Sequence, residues 1–187
     1  MSGYSINKIK KNRFQSGLTL PELMITLTVM AILVSLSAPS VRSLISDRQV
    51  ASVARVLHTS LMMARSEAVK RSATVSLCKS DNGSSCDDDL ADWSKGWLIF
   101  ADENANGEFD SADDKMIRVY AEQDELDQLD WNKGDNLSFD SRGRLNVING
   151  TFSVCKNLAT EFEQRDVVLI GSGRARILEV TGDGQCS

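Results

Sequence analysis

Three groups of residues in this sequence have the types and spacing to do chemistry. The stretch "DENANGEFDSAD" (102–113) sets Asp102, Asn104, Asn106 and Asp113 at positions 1, 3, 5 and 12 of a D-x-N-x-N-G-x5-D pattern, with Gly107 at the sharp turn. That is the oxygen spacing of a calcium loop. Two features weigh against calcium: position 12 is Asp rather than the longer Glu, and the preceding "GWLIF" has strand character rather than helical. An Asn-Gly β-turn with solvated acids is the competing expectation. In the second group, "GSGRARI" sets Arg174 and Arg176 two residues apart after the flexible Gly173, so both fall on one face of a strand. "SRGRL" offers Arg142 and Arg144 in a similar setting. A guanidinium fork suits phosphate or carboxylate, so each pair either neutralises local acids or holds an external anion.

The third group is Cys78, Cys86, Cys155 and Cys186. Their spacing is neither that of a CxxC redox pair nor that of a zinc knuckle, and His58 is the only histidine, so no metal site of Cys/His type is expected. There is no G-x-S-x-G and no nucleophile with a partner base, so the chain does not read as an enzyme and implies no cofactor.

These groups sit in a chain of 187 residues, enough for one domain plus a membrane segment. Hydrophobic residues make up 42% and charged residues 25%, which excludes global disorder. The net charge of −5 conceals an asymmetry. The first 17 residues carry Lys8, Lys10, Lys11 and Arg13 and no acid, leaving 17 basic against 26 acidic residues in the rest. Such a remainder repels a polyanion unless its arginines are locally concentrated.

Leu18 to Ala38 is the one plausible membrane span, 21 residues or about 31 Å as a helix. Apart from Glu22 it carries no charge, and its threonines and serines can bond back to helix carbonyls. Basic residues on its N-terminal side place the N-terminus in the cytoplasm and all that follows Ser40 outside. "SLSAPS" could also pass for the cut site of an ordinary signal peptide. Against that, Val50, Val53, Ala54, Leu57, Leu61, Ala64 and Ala68 continue at helical spacing through "SDRQVASVARVLHTSLMMARSEAVKRS" (46–72), one apolar stripe on a polar rod. The expected object is one long helix, interrupted only at Pro39, half in the membrane and half packed on a head.

Beyond Ser72 the helical period gives way to short β-branched runs separated by turn residues, at 73–78, 96–101, 115–121, 136–140, 144–148, 151–155, 166–171 and 174–180. Helix and strands come in blocks, so the class is α+β with an antiparallel β head.

"SGLTLPELM" resembles the type IV prepilin cleavage motif, although Leu18 and Pro21 replace the residues more often seen. "MMARSEAVKRSATVSLC", "GWLIFADENANGEFD", "FDSRGRL" and "GSGRARI" followed by a terminal cysteine look like the FimT/GspH family of minor pilins and pseudopilins, with the FimT-like pilus branch favoured. The resemblance implies a type IV pilin-like fold with a cytoplasmic leader (1–17), a transmembrane and filament-core helix (18–39), its amphipathic continuation (40–72) and a β-rich head (73–187). It implies that a prepilin peptidase cuts after Gly17 and methylates the new amine of Leu18. It also implies assembly with other pilins or pseudopilins through an inner-membrane platform.

A carboxylate in hydrocarbon costs about 2.5–3.5 kcal/mol on insertion scales. In the resembled family, Glu22 would pair with the N-terminal amine freed at Leu18, on its own or an adjacent subunit. A position among the cytoplasmic headgroups would satisfy it as well. In the FimT branch a Gly-Arg-x-Arg motif is associated with DNA, and here it maps to Gly173, Arg174 and Arg176, with structural salt bridging the alternative. All four cysteines lie outside the cytoplasm in this arrangement, where disulfides persist. Three pairings are open, and the expected set is Cys78–Cys86 and Cys155–Cys186. The alternative function is a structural GspH-like pseudopilin of type II secretion.

Overall fold

Helix α1 spans Leu20–Arg71, and the helical assignment runs unbroken through Pro39. The computed structural model describes residues 19–158, 161–183 and 186, with side chains at 35–42, 161 and 181–183 outside the description. The leader (1–17), the expected cut between Gly17 and Leu18 and part of the expected span therefore lie outside the described residues. The chain divides into two compact units, 1–40 and 41–187.

In the first unit, Glu22 lies in the first turn of α1, where the unpaired N–H groups of a helix end favour a carboxylate. Leu20, Leu23, Met24, Ile25, Leu27 and Met30 are 49–71% exposed. A surface of that kind is stable only under apolar cover. Thr26 and Thr28 donate their hydroxyls to the carbonyls of Leu23 and Ile25, each at 2.8 Å. Among the described residues, no helix is long and apolar enough to cross a membrane.

Among the described residues, the second unit carries the rest of α1 and eight strands. The strands are β1 (Val75–Lys79), β2 (Trp97–Ala101), β3 (Lys115–Tyr120), β4 (Gln128–Trp131), β5 (Asn136–Phe139), β6 (Asn149–Asn157), β7 (Glu161–Ile170) and β8 (Ala175–Asp183). They form two antiparallel sheets, ordered β3-β2-β1-β5 and β4-β6-β7-β8. All seven residues of the apolar stripe are buried, at 0–3% exposure, against the inner faces of both sheets. Trp131 stacks on Phe152 at 4.5 Å between ring centres, and Trp93 meets the same ring edge-on at 5.1 Å.

The helix ends in a Schellman turn, with Ala73 N–H donating to Ala68 O and Ser72 N–H to Val69 O, and Ser72 in the left-handed region at φ 53°. Farther down the helix, the buried Arg165 of β7 pairs with Asp47 of α1 and with Glu179 of β8 at 3.2 Å. These contacts fix the β7–β8 hairpin against the helix.

Two expectations about the strands are corrected. The run 144–148 forms only a single bridge, Phe139 to Leu145, because Arg144 is tied back to Asp140 in a tight turn. The strand β4 was not among the expected runs, since Gln128 and Asp130 dilute its apolar signal; only Leu129 and Trp131 face the core. Strands β1 and β2 are buried at every position, unlike ordinary antiparallel strands with one wet face. A second apolar cluster explains this: Cys78, Leu98 and Phe100 on the outer face are capped by Cys86, Phe109 and Met116.

The cysteines are paired Cys78–Cys86 and Cys155–Cys186. The first anchors one of the covering loops, and Phe109 N–H donates to Cys86 Sγ. The second ties the C-terminal tail to β6, beside a hydrogen bond from Cys186 N–H to Asn157 Oδ1 at 2.8 Å.

Candidate functional site

Arg142, Arg144 and Arg174 lie on two tight turns of the same construction, and Arg176 follows in β8. In the first, Asp140 N–H donates to Arg144 O at 2.8 Å and Gly143 N–H to Asp140 O at 2.7 Å. In the second, Ile170 N–H donates to Arg174 O at 3.1 Å and Gly173 N–H to Ile170 O at 2.7 Å. Each is a three-residue loop whose last residue is a left-handed glycine, at φ 70° for Gly143 and 75° for Gly173. An exposed arginine, Arg144 or Arg174, closes each.

The two turns touch back to back. A Cβ placed on Gly173 would lie 1.9 Å from Gly143 O, so only glycine permits this approach. Leu145 N–H donates to Gly171 O at 3.0 Å, linking the turns a second time. Arg65, from the last turns of α1, donates Nε–H to Gly143 O at 2.9 Å. Sequence reasoning missed Arg65 because its partner is a backbone carbonyl 78 residues away. The one signal available was its place beside Ala64 and Ala68, small residues at the end of the buried stripe.

The arginines differ in how they are occupied. Arg144 gives Nε and Nη2 to Asp140 Oδ2, each at 3.0 Å, and Arg142 reaches the same oxygen only at 4.0 Å. Salt bridging therefore holds Arg144, and engages the exposed Arg142 only at its outer limit. Arg174 and Arg176 are exposed, and among the described residues neither has a carboxylate within 4.0 Å. They flank a groove of about 400 Å³ lined by Val168, Ile170 and Ala175. His58 approaches the Ala175 carbonyl at 3.3 Å through Nε2, which fastens the start of β8 to α1.

The Asp140 carboxyl is held below the ordinary aspartate range, first by the Arg144 backbone N–H and then by the Arg144 side chain and the Arg142 backbone N–H. A depressed folded value means that the stabilisation is complete above about pH 3.9, the unfolded value, and is lost as pH falls through the folded one. The amide resonances of Arg142 and Arg144 are expected to titrate together, with a common midpoint below about 3.9, in an NMR pH series. A midpoint at or above that value would contradict the assigned hydrogen bonds.

The calcium candidates are built differently from a cation cage. Asp102 is buried, accepting Ser76 Oγ–H at 2.6 Å and Gly107 N–H at 2.9 Å on Oδ2 and Asn106 N–H at 3.2 Å on Oδ1. Asn104 and Asn106 accept backbone N–H groups two residues ahead. Asp114, not Asp113, closes the loop, accepting from Glu103 and Asp110 N–H. The connection from β2 to β3 is thus a 13-residue loop tied by its own carboxylates and amides, not a two-residue Asn-Gly hairpin. Among the described residues no three His, Cys, Asp or Glu side chains converge to hold a metal.

The sequence matches the family described as Type II transport protein GspH over residues 53–184, most of the helix continuation and almost the whole head. The chain belongs to the GspH family. A second match, the Prokaryotic N-terminal methylation motif, covers residues 12–38 and so includes Gly17, Leu18 and Glu22. The pilin-like protein PilA1 of Thermus thermophilus is 30% identical over 175 residues, covering 86% of this chain and 97% of that one. In fold, the GspH-type head is similar to the type IV minor pilin FimU of Pseudomonas aeruginosa. One crystal form gives a TM-score of 0.55 at 23% identity, covering 70% of this chain and 89% of that one, and a second gives 0.51. The fold is type IV pilin-like α+β, and this GspH-family chain is of the minor pilin and pseudopilin kind, with the processing motif and assembly partners that membership implies.

Proposed function

We propose that the chain is a minor type IV pilin whose head binds DNA without sequence preference, for uptake. A prepilin peptidase cuts it after Gly17 and methylates Leu18. Residues 18–39 anchor it in the bacterial inner membrane with the N-terminus cytoplasmic, and later join the filament core beside other pilins, drawn there by an inner-membrane assembly platform. Residues 40–72 continue the helix, and 73–187 form a periplasmic head that is later displayed on the pilus. Glu22 meets the freed amine of Leu18 during assembly.

The observation that supports DNA binding is that Arg174 and Arg176 are exposed cations with no carboxylate within 4.0 Å among the described residues, in a chain of net charge −5. Cations left unneutralised on an acidic protein suit an external polyanion. The groove beside them has an aliphatic floor with no aromatic lining, so it offers no surface for stacking bases. Backbone phosphates are the natural ligand, and binding of that kind weakens steeply with salt.

Duplex binding by the oxidised full-length protein in a non-ionic detergent tests this by fluorescence anisotropy across a salt series. The double variant Arg174→Ala/Arg176→Ala is expected to lose at least ~10-fold in affinity and to flatten the log–log salt slope by about 2, near 0.9 per lost phosphate contact. Equal affinity in a folded double variant would sink the DNA reading. The second reading, a structural pseudopilin of type II secretion with no DNA binding, then gains; the description of the matching family favours it.

A further inference from the structure

We propose that Arg65 is a positioning residue that locks the two arginine turns into one polyanion-binding surface. This rests on the DNA-binding reading and extends the site from the Arg174–Arg176 strand to the Arg142–Arg144 turn. The turns come from separate sheets: the first follows β5 and the second joins β7 to β8. Among the described residues the backbone ties between them are the approach of Gly173 to Gly143 O, the bond from Leu145 N–H to Gly171 O, the approach of Gly171 to Ile148 O and the start of the β6–β7 ladder at Asn149 and Ile170. Arg65 Nε lies 2.8 Å from where a Cβ on Gly173 would sit and 3.0 Å from the same point on Gly143, so its side chain is wedged against both glycines. Its one hydrogen bond to the turns goes to the carbonyl that Gly173 covers.

Both glycines are buried while the arginines beside them are exposed, so the lock is internal and the cations it orients face solvent. A phosphodiester backbone follows a fixed spacing, and two mobile cationic turns would lose entropy on binding it. Held together, they present Arg142, Arg174 and Arg176 at one end of the head with that ordering already done. Asp140 is the acid facing the first turn: it holds Arg144 at 3.0 Å, while Arg142, 74% exposed, reaches it only at 4.0 Å and keeps most of its guanidinium toward solvent.

A double-mutant cycle on the oxidised full-length protein in non-ionic detergent tests the proposal. Arg65→Met keeps the aliphatic stem and removes the donor. It is expected to lower duplex affinity about 10-fold at fixed salt and to shrink the effect of Arg142→Ala to near nothing, the non-additivity of residues acting as a unit. Arg65→Lys keeps the charge without the Nε donor and is expected to bind like the Met variant. Hydrogen exchange read by mass spectrometry, which needs no DNA, is expected to speed up about 10-fold in segments 141–145 and 171–175 of Arg65→Met and nowhere in β6.

Unchanged exchange in those segments overturns the lock. Full rescue by lysine, or strict additivity with Arg142→Ala, shows that Arg65 acts only as one more charge and overturns its positioning role. If the wild-type protein binds no duplex at low salt, the DNA reading fails and takes the shared polyanion surface with it. In that case the exchange result alone decides whether the lock exists as a structural device.

Discussion

Gly173→Ala is expected to cost about 2–4 kcal/mol of stability and to remove the proposed DNA binding of whatever folds. Two effects add. The residue sits at φ 75°, where a Cβ is strained by about 1 kcal/mol or more, and that Cβ would lie 1.9 Å from the backbone oxygen of Gly143. A carbonyl in a hydrogen-bonded turn cannot step aside as a side chain would, so the turns must part, at a cost of about 1–3 kcal/mol for a forced core shift. Gly134→Ala is the control, because Gly134 has φ 106° but nothing within 4 Å of the added atom. It is expected to lose only the strain, about 1 kcal/mol. Urea unfolding of the two variants separates the contributions, and equal losses would show that the Gly173–Gly143 contact relaxes freely. Ser172→Ala, in the same loop, should leave binding unchanged and so guards against reading a general surface effect as a loss of the site.

Breaking the second disulfide with Cys155→Ala/Cys186→Ala is expected to lower stability by about 3–4 kcal/mol. The cross-link joins residues 31 apart, and closing a loop of that length removes about that much chain entropy from the unfolded state. Breaking Cys78–Cys86, with a separation of 8, should cost about 2.5 kcal/mol by the same relation. Cys155 is buried near the C-terminal end of β6, which pairs with both β4 and β7, so its loss also leaves a small defect in the sheet. Against a usual total of about 5–15 kcal/mol, either loss is a large share. Denaturant midpoints at constant slope measure both. A loss below about 1 kcal/mol for the longer link would mean that the β7–β8 ladder alone holds the tail.

Much of this protein was legible because local periodicity carries long-range consequences. Val50 to Ala68 repeat at the helical period, and burial of that stripe needs no knowledge of the partner, only that an apolar face finds cover. The blocks of β-branched residues likewise announced most strands, and the processing motif around Gly17 to Glu22 is contiguous in the chain. Signals failed where a residue's fate depends on a partner elsewhere. The run 144–148 has strand composition, yet Asp140 captures Arg144 and ends the pairing after one bridge. Asp113 fitted a motif by count, but the chain's path through Ala112 and Asp113 gave the closing role to Asp114.

The sequence by itself determined the type of chain: an N-terminal methylation motif, a long helix with one apolar stripe, a β head and cysteines suited to an oxidising compartment. Which arginines are free to meet an anion was decided only by tertiary structure. Arg142, Arg144, Arg174 and Arg176 look alike as letters beside glycines. Their difference arises because Asp140 stands next to one pair, no described carboxylate stands next to the other, and Arg65 joins the two turns from 78 residues away. Charge is a property of the residue, but neutralisation is a property of distance, and distance between remote segments exists only once the chain has folded.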